Sequence, residues 1–190
     1  MLKKWKKRKK GSVIIEFVTV LPVLITLIFV LVESFIYAMV IADYKEAAEE
    51  SARVVAMQLR GHTGKIAPGA GTPSLPSEFV TELDAQVREK VDNVLEDNFY
   101  TRDFDAQKAT LITDANGGEA TCDQLLTAET DEQVICVYMK SVVNDTSRGF
   151  EAVEVRIKGH HHPLTMFGEW ITDRYIMVHA ASQKEMSKPF

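Results

Sequence analysis

The stretch from Gly11 to Asp43 constrains this chain more than any other, because Glu16 and Glu33 are its only interior charges. Everything from Phe17 to Val32 is uncharged. A helix from Ser12 to Ala42 would be roughly 45 Å long at ~1.5 Å per residue, against a bilayer hydrocarbon core of ~30 Å. Such a helix spans with length to spare. Directly before it, Lys3, Lys4, Lys6, Lys7, Arg8, Lys9 and Lys10 form a basic block. The positive-inside rule keeps that block in the cytoplasm and sends everything after residue 43 outside.

The charge balance excludes another class of function. Net charge is −5, yet seven of the 22 basic residues sit in the first ten positions, so the body of the chain is strongly acidic. Nucleic-acid binding needs basic charge spread over a folded surface, and no nucleic-acid partner is expected. With 190 residues, 46% of them hydrophobic, the chain can hold one ordinary domain plus an appendage.

Past the apolar stretch, DYKEAAEESARVVAMQLR contains good helix formers and neither Gly nor Pro. One stripe carries Ala47, Ala48, Ser51, Ala52, Val55 and Leu59, which predicts a single helix over about residues 12–60. Gly61 should end it, and residues 61–76, rich in Gly and Pro, read as a linker. Ser77 is then placed to cap a second helix whose Phe79, Leu83, Val87, Val91, Val94 or Leu95, and Phe99 recur every three or four residues. Further on the period shifts toward two. Strands are expected at Ala109 to Thr113, ending in Asn116-Gly117-Gly118, and at Val134 to Val143. A hairpin loop at Asn144 to Gly149 leads into Ala152 to Lys158, and a last strand runs from Asp173 to Ser182. In the third strand Val153, Val155 and Ile157 alternate with Glu154, Arg156 and Lys158, which predicts one buried face and one wet face. Residues 114–133 show no core pattern and read, like 61–76, as an exposed loop.

The expected fold is therefore α+β. A long N-terminal helix and a second helix pack on a small antiparallel sheet of three or four strands. The domain plan is a basic leader at 1–11, a helix at 12–60 with 12–42 in the membrane, the linker at 61–76, and an extracytoplasmic domain at 77–190. Cys122 and Cys136 are the only cysteines. In an oxidising compartment a disulfide between them is expected. It would be worth on the order of 3 kcal/mol by chain entropy.

Glu16 is the residue that asks for explanation, since a carboxylate in apolar surroundings needs a cation or protonates. One answer is position: Glu16 lies near the cytoplasmic face and reaches interfacial water. The other is chemical. Cutting the chain between Gly11 and Ser12 would create an α-amino group one helical turn from Glu16, and that amine or a neighbouring helix's could neutralise it. In a bundle of such helices the pairing would fix register.

The basic leader, Gly11, Glu16 five residues into the shortened chain, and then Phe17 resemble the class III signal of type IV pilins. More narrowly, G-SVIIEF-VTVLP followed by VESF resembles the TadE-like minor pilins, or pseudopilins, of the tight-adherence (Flp) pilus system. Gly11, Glu16, Phe17, Leu21-Pro22, Glu33 and the alanine-rich EAAEESARVVA carry the likeness, which is specific over residues 11–60. The resemblance implies cleavage after Gly11 by a prepilin peptidase and insertion in the inner membrane. It also implies contacts with other pilin subunits through the helix, with an inner-membrane assembly platform, and with lipid before assembly. In that setting Glu16, Phe17, Pro22 and Glu33 are the candidate assembly and register residues. Pro22 should kink or loosen the helix. Glu33, about 100° around the helix from Glu16, should meet a different neighbour.

Other chemistry is weaker. His160, His161 and His162 are consecutive, so in an extended segment they point to alternate faces, and no Cys or carboxylate stands at ligand spacing. A solvated loop is the expectation there, and no metal site. The sequence offers no nucleophile elbow, phosphate loop or paired catalytic carboxylates, so neither enzymatic activity nor a cofactor is expected. Two other readings of the N-terminus stay open. One is an uncleaved signal anchor tethering an extracytoplasmic binding domain. The other is a secretory signal cut after Val40-Ile41-Ala42, disfavoured by the length of the apolar run and its internal acids.

Overall fold

A computed structural model describes residues 6–62, 77–96, 98–101, 103–113, 117–143, 149–166 and 168–183. Most of the expected linker at 61–76, the start of the basic leader and the 144–148 part of the hairpin loop lie outside the described residues. The chain forms two compact units. One comprises Met1–Ala38 with Pro163–Asp173, and the other Met39–His162 with Arg174–Phe190. A single helix, α1 (Lys6–His62), contributes to both. It starts before Ser12 because the basic residues ahead of Gly11 are themselves good helix formers.

In the larger unit α1 buries Val40, Tyr44, Ala47, Ala48, Ser51, Ala52, Val55 and Ala56. These are largely the small residues of the predicted stripe. Helix α2 (Ser77–Leu95) buries Leu83, Val87, Val91 and Leu95 completely. The apolar period had suggested a helix reaching Phe99, but α2 stops at Leu95. There the Thr101 hydroxyl donates to the Leu95 carbonyl at 2.7 Å and the chain turns at Asn98, leaving Phe99 exposed.

The sheet has four strands in the order β1 (Thr110–Thr113), β2 (Val134–Val143), β3 (Gly149–His160) and β4 (Tyr175–Gln183). β2, β3 and β4 are antiparallel neighbours, with Ile135 opposite Ile157 and Ile157 opposite Val178. β1 pairs with β2 in parallel, Ile112 beside Cys136, so the sheet is mixed rather than antiparallel as expected. The reason lies in residues 114–133, which are not simply a loop: helix α3 (Gly118–Thr127) forms there. Parallel neighbours need a crossover, usually helical, and α3 supplies it. Gly117 starts it at φ 151°, where a Cβ would stand 2.6 Å from the Thr121 hydroxyl oxygen.

The two sheet faces are both covered, and differently. Ile135, Val137, Val153, Val155, Ile157, Ile176, Val178 and Ala180 share the apolar face. Tyr44 of α1 lies against it at Gly159 and meets Phe104 edge-on at 5.6 Å. The opposite face was expected to be wet. Instead α3 sits on it, with Cys122 and Leu126 packed in one cluster with Ile112, Val134, Cys136 and Tyr138. The polar side chains of β3 hold α3 in place. Arg156 pairs with Glu119 at 3.4 Å, with Asp123, and with Glu154 of its own strand at 2.8 Å. Lys158, 1% exposed, donates to the carbonyls of Leu125 and Ala128 at the end of α3. Cations are favoured at that end of a helix, and a buried ammonium needs such acceptors. The expected disulfide joins Cys122 of α3 to Cys136 of β2, with the Cα atoms 6.0 Å apart. It closes the crossover onto the strand it leads to.

Candidate membrane and assembly site

Along α1 the side chains from Ile15 to Val32 are exposed, apart from a half-buried Val30. Phe17, Val18, Val23, Leu24, Leu27 and Leu31 each present more than half their surface. A helix apolar all round and bare all round is built for lipid or for other helices. Its few polar side chains are folded back on the backbone, as expected where water is absent. The Thr19 hydroxyl donates to the Glu16 carbonyl at 2.9 Å, Thr26 to that of Pro22 at 2.9 Å, and Ser34 to that of Val30 at 2.8 Å. Pro22 sits inside the unbroken helix. Glu16 and Phe17 are exposed, and the Gly11–Ser12 peptide lies within helical backbone.

Burial begins at Glu33, which is fully buried. Its partners come from Pro163–Asp173, the connection between β3 and β4. The Leu164 N–H donates to Oε1 at 3.1 Å and the Thr165 hydroxyl to Oε2 at 3.3 Å. The connection is itself tightly wound, with the short helix α4 (Gly168–Ile171) at its centre. The Gly168 N–H donates to the Thr165 carbonyl at 2.9 Å, and the Gly168 carbonyl accepts from both the N–H and the hydroxyl of Thr172 at 2.8 Å. Only glycine fits at 168, because a Cβ would stand 2.6 Å from Glu33 Oε1 and overlap Pro163. A carboxyl on an apolar helix is thus sheltered by donors from its own chain. Of the expected assembly residues, Glu33 alone is brought to this connection, and Glu16 lies seventeen positions away on the bare helix.

Sequence reasoning missed Pro163, Leu164, Thr165 and Gly168 as partners of Glu33. A local signal existed in the Pro163…Gly168 bracket, which marks a wound connection, but nothing in it points to residue 33. The three histidines also differ from a solvated loop. His160 ends β3 with Nε2 2.9 Å from the Asp131 carbonyl and its ring 6.2 Å from that of His162, while His161 is 2% exposed.

On the α3 side of the sheet, Tyr138 lies under the Arg156 guanidinium, 5.2 Å from ring centroid to Cζ. Burial, and then the Glu154 carboxylate, push the Tyr138 phenol above its ordinary value. Arg156 is already engaged by three carboxylates, so this corner is a structural clamp for α3 rather than an open anion site.

In class, then, this is an α+β protein with one N-terminal helix long and apolar enough to cross a membrane and a mixed sheet tied by a disulfide. Residues 11–53 match the family of TadE-like proteins. The match takes in Gly11, Ser12, Glu16, Phe17, Pro22 and Glu33 and stops before the sheet. No curated protein and no solved structure matches the chain.

Proposed function

We propose that the chain is a minor pilin-like subunit, a pseudopilin, of a tight-adherence (Flp) pilus system, taking part in assembly or in the tip of a pilus used for surface adhesion. It is a structural subunit and not an enzyme. A prepilin peptidase removes the basic leader after Gly11, and α1 holds the product in the inner membrane with the sheet outside. The assembly platform then moves the helix from lipid to other pilin helices. The bare apolar surface of Ile15 to Val32 supports this, because it suits lipid first and helices afterwards without refolding. The observation that carries the reading is that the TadE-like match begins at Gly11 and covers this same surface.

Within it, Ser12 supplies an amine one turn from Glu16, in the same chain or an axially shifted neighbour. A slipped neighbour would leave Glu16 unpaired in low dielectric, so the pair sets register. Mass spectrometry of the mature protein's N-terminus tests the proposal. A start at Ser12 is expected; a start at Met1 indicates an uncleaved anchor and a start at Asp43 a secreted domain. Gly11→Phe should block processing, and normal maturation of that variant would sink the reading. Glu16→Ala should insert normally and assemble poorly.

A further inference from the structure

The connection that shelters Glu33 presents an unexpected outer surface. Leu164 is 55% exposed, Met166 80%, Trp170 89% and Ile171 44%. Four large apolar side chains on one wound segment have no reason to face water. We propose that Leu164–Ile171 is a lipid-interface anchor, seated in the head groups and upper acyl chains on the outer side of the membrane that α1 crosses. This rests on the reading of α1 as a spanning helix with Ser12 at the cytoplasmic face.

Depth is the first argument. The segment is pinned to α1 at Glu33 through Leu164 and Thr165, so its level along the helix is fixed. From Ser12 to Glu33 the helix rises roughly 31 Å, and the hydrocarbon core is ~30 Å thick. Glu33 therefore stands where hydrocarbon gives way to head groups, which is also where burial along α1 begins. Composition is the second. Tryptophan favours that layer because its ring is apolar and its N–H polar, and Glu169, the one charge among the described residues of the segment, is exposed and can reach interfacial water. Continuity is the third. Phe29, Val32 and Phe35, which flank Glu33 on α1, are themselves 43%, 45% and 66% exposed, so the apolar surface of the segment extends the lipid-facing surface of the helix.

The test uses the full chain in phosphatidylethanolamine/phosphatidylglycerol vesicles. Trp5 and Trp170 are the two tryptophans, so Trp5→Phe makes Trp170 the sole reporter. Its emission should shift to the blue, resist aqueous acrylamide, and be quenched several-fold more by a nitroxide near the head group than by one at the acyl-chain end. A companion chain with Trp5→Phe, Trp170→Phe and Leu24→Trp reports on α1 and should be quenched best by the deep nitroxide. Deep quenching at residue 24 with an acrylamide-accessible Trp170 overturns the anchor and leaves the spanning helix intact. Failure of both quenching patterns overturns the spanning helix and the anchor with it. A blue-shifted Trp170 that neither lipid quenches means that a second copy of the chain covers the segment, which also overturns the proposal.

Discussion

The ring and hydroxyl of Tyr44 occupy the space that a side chain at Gly159 would need, so α1 and β3 meet at a residue with no Cβ to spare. Gly159→Ala should cost about 1–3 kcal/mol, the usual range for overpacking a filled core. Chemical denaturation should show an earlier midpoint. Tyr44→Ala in the same chain should recover part of the Gly159→Ala loss, giving a clearly non-additive double-mutant cycle. Additive effects would show that the two residues do not share the space.

Lys158→Met keeps most of the stem but removes the ammonium that serves the Leu125 and Ala128 carbonyls. Those part-buried acceptors then lose a partner, at up to about 1–3 kcal/mol. The expected result is a lower denaturation midpoint, with faster amide exchange concentrated in α3.

Changing Cys122 and Cys136 together to serine opens the crossover onto β2. Stability should fall by on the order of 3 kcal/mol, the chain-entropy value for a loop of this size. Wild-type protein held in a strong reductant should lose a similar amount, and the double variant should be indifferent to reductant.

Glu33→Gln retains an oxygen for the Leu164 N–H, whereas Glu33→Leu removes every acceptor there. Hydrogen exchange at the Leu164 amide should stay slow in the first and rise in the second, reflecting about 1–3 kcal/mol of lost local protection. Gly168→Ala should behave like Glu33→Leu, because its Cβ would drive the connection off the carboxyl. Equal exchange in all three chains would refute the shelter.

Tyr138 has a phenol raised above the ordinary tyrosine value of 10.0, first by burial and then by Glu154. A raised folded value means that its contribution is complete below the unfolded pKa and is lost as pH climbs past it. Stability should therefore be flat in this respect up to about pH 10 and decline above that, the region where an unperturbed tyrosine ionises. Tyr138→Phe should make the alkaline decline shallower, as followed by denaturation midpoints between neutral and strongly alkaline pH. Tyr175, raised by desolvation and by its hydrogen bond to Asp131, leaves part of the decline in place.

Patterns that bury one side of a regular element were legible in the sequence. β2 occupies Val134–Val143, as its residues suggested, and the predicted stripes are buried from Ala47 to Val55 on α1 and from Leu83 to Leu95 on α2, while Phe99 lies beyond the helix end. Two departures have one origin. α3 is ten residues long and buries only Cys122 and Leu126, too few for a helical period to stand out. Without α3, β1 and β2 look like an ordinary antiparallel pair and the polar side of β3 looks wet. With it, both readings reverse. The shelter of Glu33 was illegible for another reason, since Leu164 lies 131 positions away and no local pattern reports such a pairing. The TadE-like likeness from Gly11 onward was legible because the residues that carry it are spaced along one helix.

The distance along the chain between Glu33 and Leu164 also sets an order of events during synthesis. Cys122, Cys136 and everything between them precede β3 in the chain, so α3, β2 and the bond between them do not wait for β3. Glu33 waits longer, since its donors follow β3 in the chain. Until then its carboxyl stands uncovered on the helix. The closing of residues 164 and 165 over it therefore marks a chain made past β3, and a product truncated before Leu164 would carry the unsheltered acid as its defect.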